Sequence, residues 1–146
     1  MGQNSVYNHY KVLALSGAID LVQDTIKVML VSGSYDGSTT TAKRTHTTTG
    51  DIGANEVVGA GYTKGGVELT SRSLEQDNDG DEAEFHADNA SWATSTITAS
   101  GAVIYKSGSP AWLISYVDFG GNQTSTNGTF TINWNASEGI INLDES

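Results

Sequence analysis

The chain has 146 residues, enough for one domain with a buried core of its own. Seventeen acidic residues against seven basic ones give a formal net charge of −10. This balance disfavours nucleic acids and anionic membranes as partners, because both are bound by clustered Lys and Arg. The absence of cysteine excludes disulfides and thiolate-bound metals.

Residues 1–16 are predicted to form an N-terminal arm or short helix. They lack the basic start and apolar run of a signal peptide, and no stretch approaches the ~20 apolar residues of a membrane span. We therefore expect the protein to be made in the cytoplasm and kept there, or to leave the cell by lysis. A helical stripe ended by Gly17 is favoured over a competing strand at 12–15. The stripe consists of Tyr7, Tyr10, Lys11 and Ala14.

Residues 17–146 are predicted to form a single β-sandwich domain. The run 25–32 is β-branched and largely apolar, as is typical of a well-buried strand. Residues 33–53 are almost all Ser, Thr, Gly and Asp with scattered charges, which predicts a loop. A loop of that length inside a compact domain tends to be functional, so a partner-binding segment and a mobile surface loop are both open interpretations.

Further strands are expected along the second half of the chain, separated by turn signals. Residues 65–75 and 82–87 are predicted to pair across an acidic turn at 76–81. Residues 96–105 and 111–119 follow and are joined by a turn that contains the proline of the chain.

The clearest strand is predicted at 128–135, where Phe130, Ile132 and Trp134 alternate with Thr and Asn. This period of two places the three apolar side chains on one face. A polar loop at 118–128 precedes it and ends in Asn-Gly, a pair that favours a tight hairpin turn. Residues 139–143 are predicted to add an edge strand.

About seven short strands with intervening turns indicate an all-β fold, an antiparallel β-sandwich or jelly roll. Its core is expected to form around the large aromatic side chains, because each buries a large apolar area. These anchors are Trp92, Trp112, Trp134, Phe85, Phe119 and Phe130.

The acidic turn is a candidate cation site, with Asp77, Asp79 and Asp81 spaced by two. Hard cations such as Ca²⁺ need several oxygens held by a bent backbone. Aligning Gly80 with the glycine of a calcium loop places Glu75, Asp77 and Asp79 at the first ligand positions. It also places His86 where a bidentate Glu is required, which breaks the pattern, so a solvated acidic turn is the favoured interpretation.

No pattern of catalytic residues stands out, and we expect neither an enzyme nor a bound cofactor. The glycines of 59–66 precede a strand rather than a helix, so they do not predict a phosphate-binding loop. The three histidines lack metal-ligand spacing, and no Gly-x-Ser-x-Gly nucleophile motif occurs.

Several phrases, in order between residues 10 and 143, resemble a group of small virion proteins of tailed phages. They are IDL at 19–21, DTIKVML at 24–30, GAGYTKGGVEL at 59–69, AD and SW at 87–92, TITA and AVIY at 96–105, and DFGG at 118–121. The resemblance implies a capsid decoration (cement) protein of jelly-roll type. Such a protein would lie on the outer capsid surface of the virion, at junctions between major capsid subunits, and the resemblance carries over no catalytic residues.

The partners expected from this resemblance are the major capsid protein and the protein itself, as a dimer or trimer. The N-terminal segment 1–10 and the 33–53 segment are long, polar and otherwise unexplained, so we expect them to make these contacts. The candidate contact residues are Val6, Tyr7, Tyr10, Tyr35, Lys43 and Arg44.

Two other functions remain open. The first is a tail, fibre or neck component of a virion, which would be present in few copies. The second is a carbohydrate-binding or adhesin module, in which exposed aromatic rings would stack on sugars. The rings considered for that role are Trp92, Trp112 and Tyr116.

Overall fold

The structure, a computed structural model, describes residues 4–144, so residues 1–3 of the predicted arm and the last two residues lie outside it. The strands are β1 (Asn4–Val6), β2 (Ile26–Val31), β3 (Val67–Glu68), β4 (Ser73–Asp77), β5 (Glu82–His86), β6 (Ala90–Lys106), β7 (Trp112–Ile132) and β8 (Ile141–Leu143). The helices are α1 (Asn8–Leu15) and α2 (Thr40–Thr45), with short 3₁₀ turns at Thr49–Asp51 and Gly53–Asn55. Within residues 4–144, no helix is long and apolar enough to cross a membrane.

The strands form two antiparallel sheets, which confirms the predicted all-β sandwich class. The larger sheet has the order β1-β7-β6-β2-β3, and the smaller one has the order β4-β5-β8. Because β1 pairs with β7, the chain around α1 belongs to the same fold as the strands that follow it.

The larger sheet is buried on both faces around β2, which explains the apolar run of this strand. Ile26, Val28 and Leu30 point into the main core, together with Phe85 of the smaller sheet. The side chains that alternate with them, such as Met29, point into a second cluster on the opposite face. A strand covered on both sides needs apolar residues at nearly every position.

Residues 33–53 were expected to form a simple loop, but they pack against the larger sheet as part of the second cluster. Tyr35, Ala42 and Ile52 of this segment are buried, and Tyr35 and Ile52 pack on the outer face of the larger sheet. The segment contains α2 and both 3₁₀ turns. Tyr35 and Ile52 are isolated apolar residues in a Ser- and Thr-rich segment, and their burial holds this segment against the outer face of the sheet.

Residues 118–128 also differ from prediction, because they continue β7 instead of forming a loop that ends in a hairpin turn. Asn127 does adopt the positive φ that such a turn would need, at +46°. The left-handed residue lies at an irregularity in the β6–β7 register, between the pairs Ser95–Gly128 and Ile97–Ser125. A bulge and a tight turn use the same backbone conformation, so the local sequence does not distinguish them.

The predicted pairing of 65–75 with 82–87 is confirmed for β4 and β5 and wrong for the start of the segment. β4 pairs with β5 from Ser73–His86 to Asp77–Glu82. β3, by contrast, belongs to the larger sheet, where it pairs with β2. The strand predicted at 128–135 ends at Ile132, together with β7. The predicted alternation is present, since Phe130, Ile132 and Trp134 are all buried.

Candidate interaction surface

The two segments predicted to make contacts meet at a pair of tyrosines. Tyr7, at the start of α1, is completely buried, and its hydroxyl shares a hydrogen bond of 2.7 Å with the Tyr35 hydroxyl. The Tyr35 hydroxyl also forms a hydrogen bond of 3.0 Å with Nδ1 of His46. Burial raises the pKa of Tyr7 above its ordinary value, because the phenolate would lose its hydration. The N-terminal segment and the 33–53 segment are therefore joined through a neutral, buried hydrogen bond.

Gly37 allows this junction to form. A Cβ atom at this position would lie 2.6 Å from the Tyr116 Cβ atom and 2.7 Å from the Tyr7 hydroxyl, closer than van der Waals contact permits. The backbone of the 33–53 segment thus passes directly against Tyr7 and Tyr116, and any residue larger than glycine at position 37 would move it away from them.

Burial corrects part of the predicted contact set. Tyr7, Tyr10 and Tyr35 are at most 8% exposed. Tyr7 and Tyr35 pack in the second cluster, on the outer face of the larger sheet, and Tyr10 packs in the main core. These three tyrosines therefore support the N-terminal and 33–53 segments from inside the protein and do not lie on its surface. Val6 and Lys43 are half-buried, and Arg44 is exposed.

The outer side of α1 is apolar and unpartnered within the described chain. Tyr10 is the buried residue of this helix, whereas Val12 is 64% and Leu15 90% exposed. These two side chains lie three positions apart and so share one helix face, which the exposed Lys11 borders. Large apolar side chains exposed together on a short helix are typical of a contact surface.

The neighbouring helix α2 adds positive charge. The Thr39 hydroxyl accepts a hydrogen bond of 3.1 Å from the Ala42 N–H and so caps the start of the helix. Lys43 and Arg44 lie in its last turn, where the helix dipole favours cations. Because α1 and α2 are in contact, we treat their outward residues as one surface and call it the helical patch. The patch consists of Lys11, Val12, Leu15, Lys43 and Arg44.

The helical patch holds three of the seven basic residues of a chain with net charge −10. Elsewhere, Arg72 donates to the carbonyl oxygens of Leu21 and Asp24, and Lys106 pairs with the Asp24 carboxylate at 3.3 Å. Those cations stabilise the fold itself. Lys43 and Arg44 form no ion pair with any residue from 4 to 144, so both charges are available to a partner.

The candidate cation site is arranged differently from the sequence prediction. Asp77 faces its own turn, where Oδ1 accepts hydrogen bonds from the N–H groups of Asp79 and Gly80. Asp79 and Asp81 are not among the described residues whose ligand atoms converge. Two converging groups share the buried Glu84. The first group is Glu75, Glu84 and His86. The second group is Asp77, Glu82 and Glu84.

Cross-strand pairing creates these groups, since Glu75 lies directly opposite Glu84. Nε2 of His86 lies 2.6 Å from Glu84 Oε2 and 3.8 Å from Glu75 Oε2. An imidazole with two carboxylates is a donor set suited to zinc, and three carboxylates suit Ca²⁺ or Mg²⁺. Loss of hydration, followed by repulsion from the carboxylates of Glu138 and Glu84, raises the pKa of Glu82. These groups follow from the register between β4 and β5, which the spacing of the residues along the chain does not reveal.

The aromatic residues considered for sugar stacking lie mostly inside the protein. Trp92 and Tyr116 are 4% and 2% exposed, and Trp112 is half-buried. Trp92 packs edge-on against Phe130, and Tyr116 packs edge-on against Tyr35. Stacking on a sugar requires a free ring face, which these two residues do not offer.

Comparison of the chain with protein-family models, curated protein sequences and solved structures found no match.

Proposed function

We propose that this protein is a capsid decoration protein of a tailed phage, which binds the outer shell where major capsid subunits meet and stabilises it. The observation that carries the proposal is the helical patch, a basic and apolar surface on an otherwise acidic protein. The resemblance to small virion proteins of tailed phages supports the same assignment.

The helical patch suits a partner with an apolar surface bordered by carboxylates. Val12 and Leu15 would supply the apolar contact, and Lys43 and Arg44 would pair with acidic groups at its rim. The proposed partner is accordingly an acidic, partly apolar surface of the major capsid protein. The rest of the chain is strongly acidic and would repel such a surface, so charge also favours one orientation.

Stabilisation would come from binding free energy alone. A protein that bridges adjacent subunits binds the closed shell and not the opened one, so its contacts must break before the shell opens. Repetition over many sites lets weak individual contacts add up across the particle. Association of decoration subunits as dimers or trimers would strengthen this effect and is part of the proposal.

The first test is the copy number of the protein in purified particles of the phage that encodes it, measured by quantitative mass spectrometry. We expect a number comparable to that of the major capsid protein. A handful of copies would instead assign the protein to the tail, fibres or neck. Absence from the particle would overturn the assignment to the virion.

The second test addresses the helical patch, using undecorated capsids and added protein. We expect Leu15→Ser and Arg44→Glu each to lower capsid occupancy. The matched controls are Leu143→Ser and Lys64→Glu, which change residues that are also exposed but lie outside the patch. Equal loss for patch and control variants would show that the patch is not the capsid-binding surface.

A further inference from the structure

A bend in β7 encloses a cleft of about 420 Å³ on the protein surface. Both arms of the cleft come from β7 and the residue that follows it, one before the bend and one after it. The lining residues are Phe119, Gln123, Thr124, Thr129, Phe130, Thr131, Ile132 and Asn133.

Extra residues in β7 produce the bend. Asp118 pairs with Gly101 and Gln123 pairs with Ala99, so five steps along β7 match two steps along β6. Gly120 takes up part of the excess at φ +79°, and its N–H donates a 2.8 Å hydrogen bond to Asp118 Oδ1. A bulge of this kind bends the strand that carries it and places side chains where a regular strand would not.

The interior of the cleft combines aromatic rings with neutral polar groups. The Phe119 and Phe130 rings contact each other at a centroid distance of 6.1 Å, and Phe119 remains half-buried. Five exposed side chains surround them, each with a hydroxyl or amide that both donates and accepts hydrogen bonds. They are Gln123, Thr124, Thr129, Thr131 and Asn133.

The cleft contains no ionisable side chain, and the whole segment 119–135 is uncharged. In a protein with 24 charged residues, such a neutral segment at a concave surface selects against ionic ligands, because no counter-charge would replace their hydration. A ligand rich in hydroxyl groups could instead exchange its hydrogen bonds with water for bonds to the amides and hydroxyls. The ring of Phe119 would cover an apolar face of the same ligand.

We propose that this cleft binds a short neutral glycan. Its volume lies within the range of small-molecule sites, and aromatic rings with a few placed polar groups are the composition expected of such a site. An extended peptide is a poorer match, because the bulges interrupt the regular edge that strand addition requires. The inference is independent of capsid binding, which uses the helical patch, and the two can fail separately.

The test begins with the full chain on an array of neutral and sialylated oligosaccharides. The neutral trisaccharide with the strongest signal is then titrated by calorimetry. We expect binding to neutral glycans, and we expect Gln123→Ala and Thr131→Val each to weaken it about fivefold, the effect of losing one hydrogen bond. Phe119→Leu, which removes the aromatic face and keeps an apolar side chain, should weaken it at least as much.

The matched control is Thr126→Val, which alters an exposed threonine of β7 outside the cleft and should leave the affinity unchanged. Thermal unfolding of each variant checks that it is folded. No binding of any neutral glycan by the folded protein would overturn the proposal. Binding restricted to sialylated glycans, or equal losses in cleft and control variants, would also overturn it.

Discussion

Phe119 and Phe130 are eleven residues apart on β7, yet their ring centroids are separated by 6.1 Å. At ~3.3 Å per residue, a straight strand would separate them by roughly 36 Å. β7 therefore bends back between the two rings, and the residues on either side of this bend line the cleft.

The bend depends on backbone conformations that favour glycine. Gly120 has φ +79° in open space, so the cost of replacing it is conformational rather than steric. We expect Gly120→Ala to lower the free energy of unfolding by about 1 kcal/mol, since the left-handed region disfavours a Cβ. Urea denaturation measures this, with Gly128→Ala as the control because Gly128 has an ordinary φ. An equal effect of both substitutions would contradict the strain argument.

The Tyr7–Tyr35 hydrogen bond should be visible as an energetic coupling. We expect Tyr7→Phe and Tyr35→Phe each to destabilise the protein by about 1 kcal/mol, because each leaves a buried hydroxyl with fewer partners. The double variant should lose less than the sum of the two. Chemical denaturation of all four proteins completes the cycle, and additive losses would show that the two hydroxyls do not stabilise each other.

The buried tyrosines should make stability fall at alkaline pH. Burial, and then the nearby carboxylates, raise the pKa values of Tyr105 and Tyr116 from 10.0 to about 12. The unfolded chain therefore releases these protons first, so stability is unaffected below pH 10 and falls as the pH rises towards 12. Each group should contribute a loss of about 1–2 kcal/mol over this range.

This alkaline loss can be assigned to one residue by comparing urea unfolding at several pH values with that of Tyr116→Phe. Phenylalanine does not titrate, so the variant should show a shallower decline above pH 10. Parallel curves for the two proteins would mean that other groups cause the loss.

The acidic hairpin should contain unfavourable charge at neutral pH. Because the pKa of Glu82 is raised in the folded state, deprotonation at pH 7 costs the folded protein free energy. We therefore expect Glu82→Gln to raise the melting temperature at pH 7, with a smaller gain at high salt and at pH values below 4.5, where Glu82 is itself protonated.

Asp79→Asn is the control for Glu82→Gln, since it removes one exposed charge of the same turn that belongs to neither converging group. It should change the melting temperature less. If both variants gained equally, overall net charge would be the cause rather than the carboxylates around Glu84.

Strong local sequence patterns made parts of this fold predictable from sequence. The run that became β2 and the alternation of Phe130, Ile132 and Trp134 are long enough that tertiary packing agrees with the local pattern. The short helix near the N-terminus was also predicted, and α1 confirms it. In these segments the sequence pattern and the burial pattern coincide.

Other features depend on contacts between distant residues and were not predictable. Tyr35 and Ile52 are isolated apolar residues in a polar segment, and their burial follows from the sheet face they cover. The converging carboxylates arise from the register that places Glu75 opposite Glu84. The cleft requires a bend whose local signals, glycine and Asn-Gly, equally predict loops.

The irregularities of β7 also bear on solubility at high local concentration. A long, uncharged strand with an open edge invites pairing with other copies of the chain, the route by which proteins form fibrils. β7 carries no charge from Phe119 onwards, so it lacks the lysines that commonly block such pairing. Gly120, Gly121 and Asn127 instead interrupt the regular spacing of its N–H and C=O groups. The backbone conformation of β7 thus protects against aggregation where side-chain charge does not.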